Sequence, residues 1–438
     1  MRTVLARARD ARASVGLRGA GCSYGDASLN SEQIALDLSR MNRILAWDGE
    51  SGVIRVEPGV TIQQLWQYVL EDGWWPSVVP GTMFVTLGGA AAMNIHGKNN
   101  FCAGTIGDHV REFELLLPGG DIRRCTRDEN ADLFHAAIGG FGMLGCFVSL
   151  TLGLKRVHSG LLTVEAVPAA NLETMLEVFL ARAPRADYLV GWVDCLARGT
   201  SLGRGLVHQA NYLPPGTDVA ATQTLRVGHQ ELPTTLLGVM PKSIMWRFMH
   251  PFMHRPGVQV INLAKYLLSQ RQGQHTFRQS HAGFHFLLDY VPEWKRAYGH
   301  GGLIQYQSFI PKEAAARVFR AQLERARARG LPPFLGVLKQ HRPDPFLMTH
   351  AVDGFSLALD FKVTARNRRK LWALAAELDQ IVLDGGGRFY FAKDLTLSHA
   401  RLGAYLAEDR VQRFLALKRQ HDPDTLLQTN LYRRVFVG

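Results

Sequence analysis

Three glycine loops near the start of the 438-residue chain have the residue types and spacing for ligand chemistry. The first is Arg18-Gly19-Ala20-Gly21-Cys22-Ser23-Tyr24-Gly25. Closely spaced glycines let successive backbone N–H groups turn toward one point, which makes an anion nest, and Ser23 and Arg18 can add hydrogen bonds to phosphate oxygens. The same loop also reads as a tight turn beside the core. The second loop joins Pro80-Gly81-Thr82 to Thr86-Leu87-Gly88-Gly89 and then, through three alanines, to Met93-Asn94-Ile95-His96-Gly97-Lys98. Its small side chains allow close backbone approach to a large flat ligand. The third, Gly140-Phe141-Gly142-Met143-Leu144-Gly145, spells GxGxxG. A Rossmann use of that string needs a strand before it and a helix after it, and here the order is reversed. Together the loops suggest a dinucleotide lying extended between them. Two histidine pairs at i, i+4, His250/His254 and His281/His285, suggest metal. No carboxylate accompanies either pair, Pro251 interrupts the first, and the third ligand is missing, so no metal site is expected.

These loops need elements to hold them. Short strands are expected at Ile34–Leu38, Val53–Val56, Phe113–Leu117 and Cys146–Leu152, bounded by Gly, Pro or Asp. Helical spacing over Thr61–Glu71 puts Ile62, Leu65, Trp66 and Val69 on one face before Gly73, and a second helix is expected over Asp128–Ala137. Beyond residue 160 longer strands (Leu161–Val167, Tyr188–Val193, Gly302–Ile310, Phe355–Val363) alternate with helices at Leu172–Ala183, Glu313–Arg329 and Asn367–Asp384. This reads as an antiparallel sheet covered by helices, within an α+β chain. A last helical region is expected over Leu402–Gln420. Residues 233–280 mix Met, Phe, Trp and Leu with Lys242, Arg247, Arg255, Lys265 and Arg271. That stretch reads as a core or lid segment, or as a surface that meets a lipid tail at an anionic membrane.

Composition limits the function classes. Apolar residues make up 47%, charged residues 20%, and mean hydropathy is −0.05, which describes a globular chain. Fifty Lys+Arg against 38 Asp+Glu give +12, which suits an anionic partner. The basic residues are spread along the chain instead of clustering with stacking aromatics, so nucleic acid is not the expected partner. No apolar run reaches membrane-spanning length. Five widely spaced cysteines without CxxC argue against a disulfide framework and for a reducing compartment. The Arg-rich start lacks a signal-peptide core and reads as an amphipathic helix, so a cytoplasmic protein is expected.

RGAGCSYGD, VEPGVTIQQLWQYVLEDGWWPSVVPGT, TLGGAAAMNIHGKN and IGGFGMLG resemble, in order and spacing, the FAD-binding domain of the vanillyl-alcohol oxidase (PCMH-type) flavoproteins. Within that superfamily His96-Gly97-Lys98-Asn99, Gln305-Tyr306-Gln307, Tyr390-Phe391-Ala392-Lys393-Asp394, WVDCLARGTSLGRG, EWKRAYG and DPDTLLQTNLYRR resemble the decaprenylphosphoryl-β-D-ribose 2-oxidase branch. The resemblance is dense before 155 and after 385 and thin over 205–280. It implies an FAD domain over 1–158, a substrate domain over 159–387 that covers the flavin ring, and a segment over 388–438 that completes the FAD domain. By match, FAD contacts fall at Arg18, Gly19, Ala20, Gly21, Cys22, Ser23, Tyr24, Gly25, Gly81, Thr82, Thr86, Leu87, Gly88, Gly89, Met93, Asn94, Ile95, His96, Gly145 and Tyr390. Cys22 stands where covalent members carry a flavin-linked His. The ribose oxidases lack that His too, so non-covalent FAD is expected, with a thioether at Cys22 as the alternative. His285 and Ser356 replace Tyr and Asn of the mycobacterial-type branch and are expected in the substrate pocket. Relatives usually have a strand before the first helix. Here the chain begins almost at that helix, so either the start is shifted or the sheet lacks that edge.

The implied activity is FAD-dependent oxidation of a sugar secondary alcohol: the C2 hydroxyl of a polyprenyl-phosphoryl ribose, or alternatively a free alditol or aldono-lactone. A short-chain reductase is the implied partner, and a peripheral membrane contact is compatible with it. By the resemblance Lys393 is the polar group at the reacting hydroxyl, either as an ammonium holding the oxygen or as a desolvated amine acting as base. Gln305 and Gln307 alternate on a strand and so share a face, from which they can hydrogen-bond sugar hydroxyls. His96 either contacts flavin or sugar or is satisfied by backbone. Lys98 suits a substrate phosphate. The Tyr24 phenol either reaches the site or packs in the core.

Overall fold

The computed structural model describes residues 1–236 and 240–437; residues 237–239, inside the Met- and Phe-rich stretch, lie outside the described residues, as does residue 438. The glycine-rich third rests on two sheets. Val15–Arg18 runs parallel to Ile34–Asp37, in register from Val15↔Ile34 to Arg18↔Asp37. An antiparallel sheet has the order Ile44–Asp48, Val53–Val56, Cys146–Gly153, Val110–Leu116, Ile122–Thr126. The helix Ile62–Val69 is started by a capping box: Gln64 N–H donates to Thr61 Oγ1 (3.1 Å) and Thr61 N–H to Gln64 Oε1 (3.0 Å). It buries the expected face of Ile62, Leu65, Trp66 and Val69, where truncating Leu65 to Ala would cost roughly 2–5 kcal/mol.

The second layer is an eight-stranded antiparallel sheet. Its order is His275–Ser280, Leu161–Ala169, Gly205–Tyr212, Tyr188–Val193, Leu335–His341, Gly354–Lys362, Leu303–Pro311, Arg388–Phe389. One face carries the helices Leu172–Arg182, Lys312–Ala328 and Arg368–Asp384. The period-two alternation of a strand decides what faces them. In Leu303–Pro311, Tyr306 donates its hydroxyl to Asp379 Oδ1 on a helix (3.0 Å), and Ser308 Oγ accepts from Gln322 Nε2 (3.1 Å). Gln305 and Gln307 therefore point to the other face. Leu335, Val337 and Lys339 share that face, as do Val190, Trp192 and His208, and it is the face turned toward the glycine loops.

The chain end returns to the first loop. Arg388–Phe389 still pairs with Leu303–Pro311, so the return starts after Phe389. Leu427 bridges Val15 in parallel. Buried Lys418 donates to the carbonyls of Met143 (2.9 Å) and Leu427 (2.7 Å) and pairs with Asp422. Arg434 makes a two-pronged pair with Asp26 (2.8 and 3.0 Å) and reaches Asp394 (3.0 Å).

Differences from the sequence reading have local causes. The expected helix Leu402–Gln420 is two, His399–Tyr405 and Glu408–His421, because the chain turns extended at Leu406 and buries its side chain. Ile122–Thr126 is an edge strand with three exposed residues in succession, so it carries no alternation to read. In Gly205–Tyr212 polar His208, Gln209 and Asn211 interrupt the apolar run, and tertiary burial supplies what local pattern does not. Among the described residues no helix is long and apolar enough to cross a membrane.

Candidate active site

A cavity of about 470 Å³ lies between the glycine loops and the open face of the large sheet. Arg18 through Tyr24 line one end, together with Gly81, Thr82, Thr86, Gly88, Gly89, Met93, Ile95 and Gly145. The local sequence explains the shape. A Cβ on Gly19 would stand 2.1 Å from Thr86 Oγ1, so only glycine there lets the two loops meet, and one on Gly88 would stand 2.5 Å from Pro58 Cβ, so glycine is also needed where the second loop abuts Pro58. Gly21 adopts φ +64°, which a side chain would strain. Among the described residues the N–H groups of Ala20, Gly21, Cys22 and Ser23 have no acceptor in the protein. A row of free amides beside Arg18, in a groove of glycine and alanine, fits the pyrophosphate and flat rings of FAD. Asp289 braces the second loop from the other layer, accepting from Thr82 Oγ1 (2.7 Å) and Met83 N–H (2.8 Å).

Four lysines line the opposite wall: Lys98, Lys265, Lys339 and Lys393. None makes an ion pair among the described residues. Lys98 donates to the Phe284 carbonyl, and burial holds its pKa well below the usual lysine range. Lys265 places its ammonium 4.1 Å from the Trp192 ring centre. Burial lowers Lys339 to about 8. It lowers Lys393 to about 7, partly opposed by Asp360. Lys393 also lies 3.6 Å above the Tyr24 ring, with Lys295 at 4.3 Å from the same ring. Tyr24 is fixed there by its N–H, which donates to the Ala392 carbonyl (2.8 Å). Asp360, raised by burial to about 6, accepts from Gln305 Nε2 (2.6 Å), and its second oxygen has no partner.

A buried polar chain then fixes His96. Asn100 Oδ1 accepts the Arg342 N–H (3.2 Å), so that atom is the oxygen, and it also faces His341 Nδ1 (3.0 Å). Burial holds His341 well below the usual imidazole range and therefore neutral, so its proton sits on Nδ1 and Nε2 accepts. Ser356 must donate to His341 Nε2 (2.7 Å), which leaves its oxygen to accept from Gln307 Nε2 (3.2 Å). The other Gln307 hydrogen points at His96 Nε2 (3.2 Å). His96, also held neutral by burial, thus carries its proton on Nδ1, an atom with no partner in the protein.

Of the residues singled out from sequence, most line the cavity, including Lys393, His96, Gln305, Gln307, Lys98, His285 and Tyr390. Four do not. Gly25 abuts the Asp394 carbonyl, where a Cβ would approach to 1.9 Å. Leu87 is buried in the core. Asn94 turns away, donating to Asp344 (3.1 Å) and accepting from Gly107 N–H (3.0 Å). Ser356 lies behind Gln307 as a link in the chain described above. His285 stacks on Trp75 with centres 5.7 Å apart, and neither ring nitrogen has a partner. His281 stacks on the same indole, and no group of three metal-ligating side chains occurs among the described residues. Lys339, His208 and His341 carry no signal in the sequence analysis, and Lys265 and Trp192, named there only within the basic stretch and the WVDCLARGTSLGRG motif, were not placed at the site. Recognising Leu335–His341 as a strand would have flagged Lys339, a charge in an otherwise apolar alternation.

Comparison with known proteins agrees with this geometry. Residues 1–126 match the family described as FAD binding domain. Decaprenylphosphoryl-β-D-ribose oxidase of Mycolicibacterium smegmatis is 29% identical over 99% of this chain and 92% of its own. An uncharacterised Streptomyces coelicolor protein is 28% identical over 86% of this chain and 100% of its own. L-gulonolactone oxidase of Mus musculus is 29% identical over 35% of this chain and 34% of its own. The chain is an FAD-dependent oxidoreductase built on the PCMH-type FAD-binding domain, and over nearly its whole length it is similar to a decaprenylphosphoryl-β-D-ribose oxidase.

Proposed function

We propose that the chain oxidises the C2 hydroxyl of a polyprenyl-phosphoryl ribose to the 2-keto sugar, the first half of an epimerisation to the arabinose form. One observation carries this reading over a free alditol or aldono-lactone: besides Lys393 and Lys98, the cavity is lined by Lys339 and Lys265, which make no ion pair among the described residues and stay largely charged near pH 7. Cationic walls that burial makes costly are rational where the ligand brings a negative charge, and a phosphodiester does. Bound FAD supplies the acceptor for the hydride leaving the carbinol carbon. With a pKa of about 7, Lys393 has a large neutral fraction near pH 7 and takes the hydroxyl proton as general base. The His96 Nδ1–H donates to the substrate oxygen, Gln305 and Gln307 hold the sugar hydroxyls, and Lys339 and Lys265 meet the phosphate. Arg18 through Ser23 hold the FAD pyrophosphate. A short-chain reductase acting on the keto sugar is the partner this reaction requires, and a substrate with a lipid tail brings the enzyme to a membrane.

The test is anaerobic addition of substrates to the purified holoprotein while oxidised-flavin absorbance is followed. A polyprenyl-phosphoryl ribose should bleach it, and xylitol and an aldono-lactone should not. Bleaching by the free polyol or lactone alone would overturn the substrate assignment.

A further inference from the structure

Residues 232–288 contain no aspartate or glutamate, yet they carry Lys242, Arg247, Arg255, Lys265, Arg271 and Arg278, half of the chain's net +12. The helix Arg255–Gln272 lies within this stretch. Its inward side is Val258, Asn262 and Tyr266; Asn262 Nδ2 donates to Asp194 (3.0 Å), and Tyr266 lies under the Arg204 guanidinium. Its outward side is apolar: Val260 is 67% exposed and Leu268 60%, with Leu263 and Leu267 beside them. This is the reverse of a solvated helix, which turns its polar side out. The preceding turns add exposed Phe248 and Phe252. Nine of the seventeen large apolar side chains exposed among the described residues fall between 248 and 287, so the patch is a concentration and not ordinary scatter.

Charge decides what covers it. A second copy packed about a two-fold axis would set this basic segment, which has no carboxylate of its own, against itself, arginine facing arginine. An anionic lipid surface supplies the missing negative charge and an apolar layer for the leucines. The same helix also sends Lys265 into the cavity, so whatever covers the helix lies next to the cavity wall. We propose that the outward face of Arg255–Gln272, with Phe248 and Phe252, docks in the plane of an anionic bilayer, its leucines among the acyl chains and Arg247, Arg255, Arg271 and Arg278 at the head groups. The docking gives the lipid-linked substrate its route and in that respect rests on the reading above.

The test is co-sedimentation of the holoprotein with vesicles of phosphatidylglycerol mixed equally with phosphatidylcholine, against phosphatidylcholine alone. Binding to the anionic vesicles is expected, weakening with salt, and falling at least about tenfold in the double variant Leu267→Glu/Leu268→Glu, which should keep its flavin spectrum. Arg271→Gln/Arg278→Gln should lose the preference for anionic lipid without losing all binding. No sedimentation with anionic vesicles, or equal sedimentation of the Leu267→Glu/Leu268→Glu protein, overturns the proposal. So does a concentration-dependent dimer that the same variant abolishes, since the occupant would then be a second copy. Flavin bleaching by a short-chain, water-soluble phosphoryl ribose separates the two claims. If bleaching fails while vesicle binding persists, the substrate reading falls and the docking stands; bleaching without vesicle binding means the converse.

Discussion

Three lysines of the cavity titrate near neutrality and predict the pH dependence of the reaction, because the proposed chemistry needs Lys393 neutral and Lys339 and Lys265 charged. Lys393, at about 7, must be neutral to take a proton, whereas Lys339 and Lys265, each at about 8, must be charged to hold the phosphate. A phosphodiester does not titrate in this range, so the enzyme alone sets the profile. The kcat/KM rises as pH climbs through the Lys393 value and falls as it climbs through the value shared by Lys339 and Lys265. The competent fraction peaks near pH ~7.3 at about 0.5, drops roughly fifteenfold by pH ~5.5 and falls more steeply on the alkaline side, the bell expected of one base and two cationic binders. The three groups share a cavity, so the limbs are those of the coupled set. Stopped-flow bleaching of the holoenzyme flavin under anaerobic conditions, with a short-chain phosphoryl ribose across pH, measures the profile. The double variant Lys339→Arg/Lys265→Arg keeps both charges at all these pH values and should convert the bell to a plateau above the acid limb. Lys393→Met should leave FAD bound and lose bleaching at every pH. A flat profile in the native protein, or an alkaline limb that survives the double arginine variant, refutes the assignment.

Two further substitutions probe the supporting structure. Ser356→Ala breaks the chain that runs from the Arg342 amide to His96, so the bleaching rate should fall about tenfold with KM little changed; Ser356→Thr keeps the hydroxyl and should restore most of the rate, and equal rates in all three proteins would remove the chain from the mechanism. Gly19→Ala drives a methyl into Thr86 Oγ1 and should cost about 1–3 kcal/mol of stability by thermal melting and weaken FAD retention, with Thr86→Ala recovering much of it, since the next Thr86 atom would lie at 3.3 Å.

How much of this was legible beforehand follows from how local each signal is. The glycine loops were, because a loop that must bring backbone to a ligand has to spell itself in glycine. The helices Lys312–Ala328 and Arg368–Asp384 begin within one residue of their expected starts, since each repeats an apolar face over several turns. Strands with mixed faces, such as Gly205–Tyr212, were not, and with them went His208. The helix Arg255–Gln272 was missed for a related reason. Its outward leucines and inward asparagine invert the usual pattern, and a periodicity search takes the apolar side for the buried one.

The polar chain behind His96 shows why a site can be visible as a set of residues and hidden as a mechanism. His96, Gln307 and Ser356 were each singled out from the sequence, with Ser356 taken as part of the pocket. What assigns the His96 proton is a main-chain N–H at Arg342, transmitted through Asn100 and His341, neither of which carries a motif. Each link follows from counting donors and acceptors: an oxygen already taking an amide hydrogen forces the next ring to donate, and so on to the cavity wall. Had His341 been charged, it would donate from both nitrogens and Ser356 would be free to turn. Burial keeps it neutral and so keeps the order single. The fold therefore does more than gather the polar residues. By drying the space behind Gln307 it keeps the His96 proton on one nitrogen only.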